Sequence, residues 1–519
     1  MRSSLKLALA LAFQACYVQS AAVSVSTSSG VLQGKRADGL MVFKGVRFGQ
    51  PPTGNLRWAP PVAFTSHVNH NATTMGPSCV QQFTFARAAI NQPIFNTPPP
   101  PEDEDCLFLN VWAPAPARSK LPVVVWIYGG ALAFGTAWTP EYDGASLASN
   151  QNVVVVTFNY RTNVFGFPDS PDIPLIHNNL GFLDQDLALQ WVQRNIAKFG
   201  GDPRKVTIMG QSSGAASVAA AYVRHAAGTA PFRGAIMLSG AVESRNPTPS
   251  FTSFNAMATA LGCEQSPGAE RLACLRAVSA STIRSYTNGP SSGTWTSLVD
   301  SVTVFSDPLQ RIRKGQTSKV PFIIGHTEDD GTLFAINRTD LPTYLNATYG
   351  NRVTADQVRA LYAPGLSDNA LITNVEREFK FLCAAELWGE AAVSAGTLNV
   401  YRYAYGAVFS DLQFFPNLGA WHSSELFEIF GTYNRSTATA AEKTLSSTMQ
   451  SIVGNFARNP AAPPAPHWPK YRPGNKTSTL AKLAYNSNVA LSNVVQTVRS
   501  NSLDSPCDRL WNQLLDVRV

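Results

Sequence analysis

Val206-Thr-Ile-Met-Gly-Gln-Ser-Ser-Gly-Ala-Ala-Ser-Val-Ala-Ala-Ala-Tyr-Val223 is the stretch on which the reading of this 519-residue chain turns. Residues 206–209 form an apolar, strand-like run, and residues 215–223 are alanine-rich and read as a helix. Between them, Gly210-Gln211-Ser212-Ser213-Gly214 has the G-x-S-x-G spacing of a nucleophile elbow. In that turn the serine takes strained backbone angles. Its hydroxyl stands at the edge of a sheet with the positive end of a helix beneath it. An ordinary glycine-rich turn with a capping serine would share the pattern. What surrounds the turn therefore has to decide.

The surroundings are those of an α/β fold with a large, mostly parallel central sheet flanked by helices. Runs 123–127 and 153–158 are almost entirely apolar and β-branched, as strands buried on both faces should be. Runs 235–238 and 320–324 are similar. Between them, 184–198 carries Leu187, Trp191, Val192 and Ile196 along one helical stripe. No internal repeat or flexible linker divides the chain. Proline-rich stretches at 98–101 and 460–469 read as stiff surface connections.

A serine nucleophile needs a base. In the α/β-hydrolase chain order of serine, acid, histidine, the base follows Ser212. His225, His326, His422 and His467 satisfy that order. His225 lies too near the elbow in sequence, His326 ends a strand, and His467 sits in a proline patch. His422, in a loop before an apolar helix start, is the best placed. The acid is sought in Gly325-His-Thr-Glu-Asp-Asp-Gly331, at the end of a strand, where α/β active sites collect. Spacing alone does not rank Glu328, Asp329 and Asp330. A second glycine turn after a buried strand, Trp126-Ile-Tyr-Gly129-Gly130-Ala131, suits an oxyanion hole, because small residues let backbone N–H groups converge on a developing negative oxygen.

Composition narrows the class further. Charged residues make up 14% of the chain, which argues for a large buried core and against a nucleic-acid surface. Arg2 and Lys6 precede an apolar run at 7–13, and Ser20, Ala21 and Ala22 are small, so residues 1–21 read as a secretory signal peptide and 22–519 as one domain. Without Arg2 and Lys6 the formal charge falls from +7 to +5, a mild excess for a chain of this size. No later run is long enough to be a transmembrane segment. Apart from Cys16 there are six cysteines, Cys79, Cys106, Cys263, Cys274, Cys383 and Cys507, an even number that suits three disulfides in an exported protein. Asn71, Asn337, Asn346, Asn434 and Asn475 head glycosylation sequons. The spacings give no metal site, and a serine nucleophile activated by a histidine base needs no cofactor.

Taken in order, Gly45-Val-Arg-Phe-Gly-Gln-Pro-Pro, Leu56-Arg-Trp, Glu104-Asp-Cys-Leu-Phe-Leu-Asn-Val-Trp, Phe158-Asn-Tyr-Arg and Asn179-Leu-Gly-Phe-Leu-Asp-Gln resemble the type-B carboxylesterase/lipase family, which includes cholinesterases and secreted fungal esterases and lipases. The resemblance covers nearly the whole mature chain. It implies an α/β-hydrolase fold, Ser212 as nucleophile, His422 as base and Asp330 as acid, where most relatives carry glutamate. It implies amides of Gly130, Ala131 and Ser213 in the oxyanion hole, and a structural Arg57–Glu104 pair. It also implies the pairings Cys79–Cys106, Cys263–Cys274 and Cys383–Cys507. Gln211 replaces the family's usual glutamate. Asn96 stands where cholinesterases place a choline-stacking tryptophan, so a cation cage is not expected and neutral esters are.

The substrate expected is a small-molecule or lipid-like ester, with short- to medium-chain acyl groups favoured. The rivals are a triacylglycerol lipase or sterol esterase with interfacial activation, and a non-catalytic cholinesterase-like binding protein. The loop between Cys79 and Cys106 bears on the first rival. Its apolar residues Phe83, Phe85, Ile90, Ile94 and Phe95 show no sustained helical period, so they are expected to pack down as gorge wall instead of forming an amphipathic lid.

Overall fold

The computed structural model describes residues 21–116, 120–241, 248–474, 479–484 and 494–516. The signal-peptide stretch, apart from its last residue, and the Asn475 sequon lie outside the described residues. Thirteen strands form one sheet. They are β1 (Ala21–Thr27), β2 (Ser29–Ala37), β3 (Leu40–Arg47), β4 (Ser66–Asn71), β5 (Phe108–Pro114), β6 (Leu121–Ile127), β7 (Val154–Phe158), β8 (Gly201–Gln211), β9 (Gly234–Leu238), β10 (Phe322–Thr327), β11 (Val400–Tyr405), β12 (Leu480–Leu483) and β13 (Val495–Val498).

The strand order is β1-β2-β3-β5-β7-β6-β8-β9-β10-β11-β12-β13, with β4 beside β2. From β7 to β12 every neighbouring pair is parallel. The β1-β2-β3-β5-β7 flank is antiparallel, as is the β12–β13 edge. The valines of β6 and β7 are fully buried, because parallel strands connected by crossover helices are covered on both faces. Helix Leu180–Asn195 buries Leu187, Ala188, Trp191 and Val192 on one stripe, and helix Ser213–Arg224 follows β8 directly. Parallel connection also brings the C-terminal ends of β6, β8, β9, β10 and β11 to one edge of the sheet, where the connecting loops collect.

Two buried ion pairs brace segments that are far apart in the sequence. Arg57 forms a bidentate pair with Glu104, at 2.6 and 2.5 Å, and its remaining donor reaches the carbonyls of Leu275 and Val278. Arg161 pairs with fully buried Asp184 at 2.8 and 2.7 Å. The disulfides Cys79–Cys106, Cys263–Cys274 and Cys383–Cys507 are all present. No helix among the described residues is long and apolar enough to cross a membrane.

The loop between Cys79 and Cys106 departs from expectation. Residues Ala88–Phe95 form a helix. It is short and contains Pro93, which hides its period in the sequence, yet Ile90 and Ile94, one turn apart, both face inward. The packing expected of the loop is otherwise found for most of its apolar residues. Phe83 stacks on Phe134 at 4.8 Å, and Phe95 lies against the same ring, while Phe85 points to solvent.

Candidate active site

Ser212 directly follows β8 with φ +57° and ψ −126°, a conformation that non-glycine residues adopt only under tertiary constraint. The constraint is close packing. A Cβ on Gly214 would lie 2.1 Å from the Ile127 carbonyl oxygen, so only glycine lets the helix start this near β6. The Ser212 N–H donates to the Leu238 carbonyl of β9 at 2.8 Å. The turn after β6 lies alongside. Gly130, Ala131 and Leu132 all have positive φ, at +110°, +57° and +59°. A Cβ on Gly130 would meet the Phe134 carbonyl at 2.3 Å. The Leu132 N–H donates to Ser213 Oγ at 3.2 Å, which ties the two turns together.

The acid loop follows β10 and the histidine loop follows β11. His422 Nδ1 donates to Asp330 Oδ1 at 2.7 Å. The other carboxylate oxygen of Asp330 accepts from Ser239 Oγ and from the Thr327 N–H, each at 2.9 Å. Asp330 is completely buried, and His422 lies between the rings of Phe334 and Phe381, at 5.0 and 4.8 Å. The Nε2 side of His422 meets the Gln211 amide nitrogen at 3.1 Å. With Nδ1 donating to Asp330, Nε2 accepts, and Gln211 supplies the proton of that hydrogen bond.

The other sequence candidates have different surroundings. Asp329 accepts from the Ala420 N–H at 2.8 Å and bridges to Trp421, so it fastens the loop that carries His422. Burial pushes its carboxyl upward. Glu328 faces Lys482, 3.8 Å away. His326 is buried on β10, and burial pushes its imidazole down to about 3. His225 follows helix Ser213–Arg224 and packs edge-on against Phe232, while His467 is exposed. Asn96 accepts from the Gln81 amide at 3.1 Å.

Ser212, His422, Gln211, Gly130 and Ala131 share a cavity of about 280 Å³ with Phe95 and Phe134. Several residues of this site escape sequence reading. Ser239 could have been suspected from its place directly after the buried β9 run. Phe334 and Phe381 carry no such signal. Nor do Arg87, Arg338, Glu376 and Lys380, which also line the cavity. Among the described residues no group of three His, Cys, Asp or Glu side chains is placed to hold a metal ion.

The chain as a whole has known counterparts. A family model described as the carboxylesterase family matches residues 21–504. The chain is 31% identical to carboxylesterase 1C of Rattus norvegicus over 86% of its length and 87% of that protein. It is 32% identical to secreted lipase 1 of Botryotinia fuckeliana (strain B05.10), covering 87% of this chain and 88% of the relative. A solved structure titled PNB esterase superposes with a TM-score of 0.76 at 27% identity, over 94% of this chain and 99% of that one.

Proposed function

The chain belongs to the carboxylesterase family and is a carboxylic ester hydrolase, and from that premise we propose that it works through an acyl-enzyme on Ser212. The observation that carries the reading is the chain of contacts from Asp330 to His422 beside a strained Ser212 in one cavity. In this reading the Ser212 hydroxyl attacks the ester carbonyl while His422 Nε2 takes its proton. Asp330 holds the imidazole in the productive tautomer and stabilises the imidazolium. The amides of Gly130, Ala131 and Ser213 receive the oxyanion, each donor being worth roughly 3 kcal/mol. The alcohol then departs with the proton from His422, and water, activated in turn by His422, releases the acid. Before the first step Gln211 must yield Nε2 to Ser212.

The substrates proposed are esters without a cationic group, the neutral esters expected from the sequence among them, with short or medium acyl groups. The modest cavity volume supports this, as does an entrance loop with little freedom to swing. Its Gln82 donates to the Thr287 carbonyl at 2.7 Å, and its Arg87 to the Leu333 carbonyl at 2.6 Å. A fluorophosphonate probe should label one peptide containing Ser212, and Ser212→Ala should abolish both labelling and turnover. Full ester turnover by that variant would refute the assignment. Rates on a p-nitrophenyl ester series should saturate below the solubility limit, whereas a steep rise as droplets appear would make the protein an interfacial lipase.

We further propose export, with residues 1–21 removed and 22–519 acting as one domain. The three disulfides support this, as do the exposed sequons at Asn71, Asn337, Asn346 and Asn434. N-terminal sequencing of the secreted protein should begin near residue 22.

A further inference from the structure

The cavity that holds Ser212 has a charge balance that hydrolysis of a neutral ester does not call for. Arg87, Arg338 and Lys380 line it together with a single carboxylate, Glu376. That carboxylate is already engaged. It pairs with Lys380 Nζ at 2.5 Å and accepts from the Tyr344 hydroxyl. Among the described residues neither arginine makes a direct ion pair with a carboxylate; Glu376 acts on Arg87 only from farther off. They are held by neutral groups instead. Arg87 donates to the carbonyls of Leu333 and Ile336, at 2.6 and 3.4 Å. Arg338 donates its Nε to the Phe334 carbonyl at 3.0 Å and lies over the Tyr344 ring at 5.1 Å.

Backbone carbonyls fix the direction of a guanidinium without neutralising it, and the one carboxylate that acts on Arg87, Glu376, is shared with Lys380. The two guanidinium groups are close enough to feel each other. Burial first, and then the charge of Arg338, depress Arg87, and Glu376 offsets this only in part. A carboxylate brought between them would relieve that repulsion and gain a planar, bidentate partner, which guanidinium recognises better than an ammonium does. A cationic ligand would meet repulsion instead, and the aromatic face that could offset it is missing at Asn96.

We propose that the Arg87–Arg338 pair is an anion subsite that selects esters carrying a free carboxylate. The proposal rests on the assignment of ester cleavage to Ser212 in the same cavity. The carboxylate binds without being changed, and the bond broken is still the ester.

Two matched ester pairs test it with the full-length enzyme. One is mono-(4-nitrophenyl) adipate against its methyl-capped diester, with the charge on the acyl side. The other is the butyrate ester of 4-hydroxyphenylacetic acid against the same compound as its methyl ester, with the charge on the alcohol side. In at least one pair, kcat/KM for the anion should exceed that for the neutral partner. That ratio should fall about tenfold when Arg87→Gln and Arg338→Gln are combined, and should fall in the unmodified enzyme between about 20 and about 500 mM salt. Arg338→Gln alone spares the loop contacts of Arg87 and should lower the ratio, whereas Arg338→Lys, which keeps the charge, should retain most of it. Ratios at or below one in both pairs, or a ratio indifferent to both substitutions, overturn the anion subsite. Failure to cleave any of the four esters would instead overturn the Ser212 reading itself.

Discussion

Two carboxyl groups near His422 are equally buried and differently treated. Asp330, in the loop after β10, has a donor on each oxygen: His422 on one, Ser239 and the Thr327 N–H on the other. Glu425, three residues beyond His422, receives no hydrogen bond on its carboxyl oxygens from any other described residue. Burial first, and then the negative charge of Asp330, push its carboxyl well above the usual range. Glu428, next along the same short helix, is pushed up to about 8, chiefly by burial. Burial alone therefore does not set the role of an acid. The donors aimed at it do. Asp330 is furnished with donors, while burial pushes the carboxyls of Glu425 and Glu428 upward.

The sharpest way to break this contrast is a pair of substitutions. Asp330→Asn should lower kcat roughly 10,000-fold by favouring the wrong imidazole tautomer. Glu425→Gln, which leaves every donor on Asp330 in place, should change kcat by less than about tenfold. Comparable losses in the two variants would mean that Glu425 bears a working charge. A second acid of the loop allows a finer cut. Asp329→Ala removes the acceptor of the Ala420 N–H and loosens the histidine loop, so kcat should fall about tenfold, far less than for Asp330→Asn. If Asp329 proves the more damaging site, the acid assignment is wrong.

Gln211→Glu tests the other face of His422. A carboxylate there would favour the imidazolium, so the acid limb of the kcat/KM profile should move to higher pH by about one unit. An unmoved profile would show that the side chain does not act on Nε2. The smallest effect concerns stability. A free glutamate titrates near 4.5, and folded Glu428 near 8, so unfolding between those values releases a proton. Its contribution to stability is present in full below about 4.5 and is lost as pH rises through about 8. Glu428→Gln should flatten the fall of Tm between about pH 5 and 8 by roughly 1–3 °C, measured by scanning calorimetry. Parallel Tm curves for the two proteins would place Glu428 among the ionised groups.

These contrasts also mark what a sequence can carry. Strands β6 and β7 announce themselves because both faces are buried and valine fills nearly every position. The elbow is legible because strand, glycine spacing and helix are contiguous. The end of β10 is harder. It starts at Phe322 and runs to Thr327, past the apolar run at 320–324, because polar His326 and Thr327 still pair with Ala404 and Tyr405 of β11. Among Glu328, Asp329 and Asp330, local pattern has no power to choose, since the choice depends on donors from β9 and on a loop about ninety residues away. The contact between Gln211 and His422 joins positions 211 residues apart, and no local signal announces it. Helix Ala88–Phe95 is too short, and too disturbed by Pro93, for its period to stand out.

The bridge from Cys383 to Cys507 spans 124 residues and turns that part of the chain, which includes His422, into a closed hoop. A protease that cut the hoop once would sever the backbone without separating the pieces. The nicked protein would migrate as one species on a non-reducing gel and as two after reduction. While the bridge lasted, the segment bearing His422 would stay tethered to the core that holds it against Asp330.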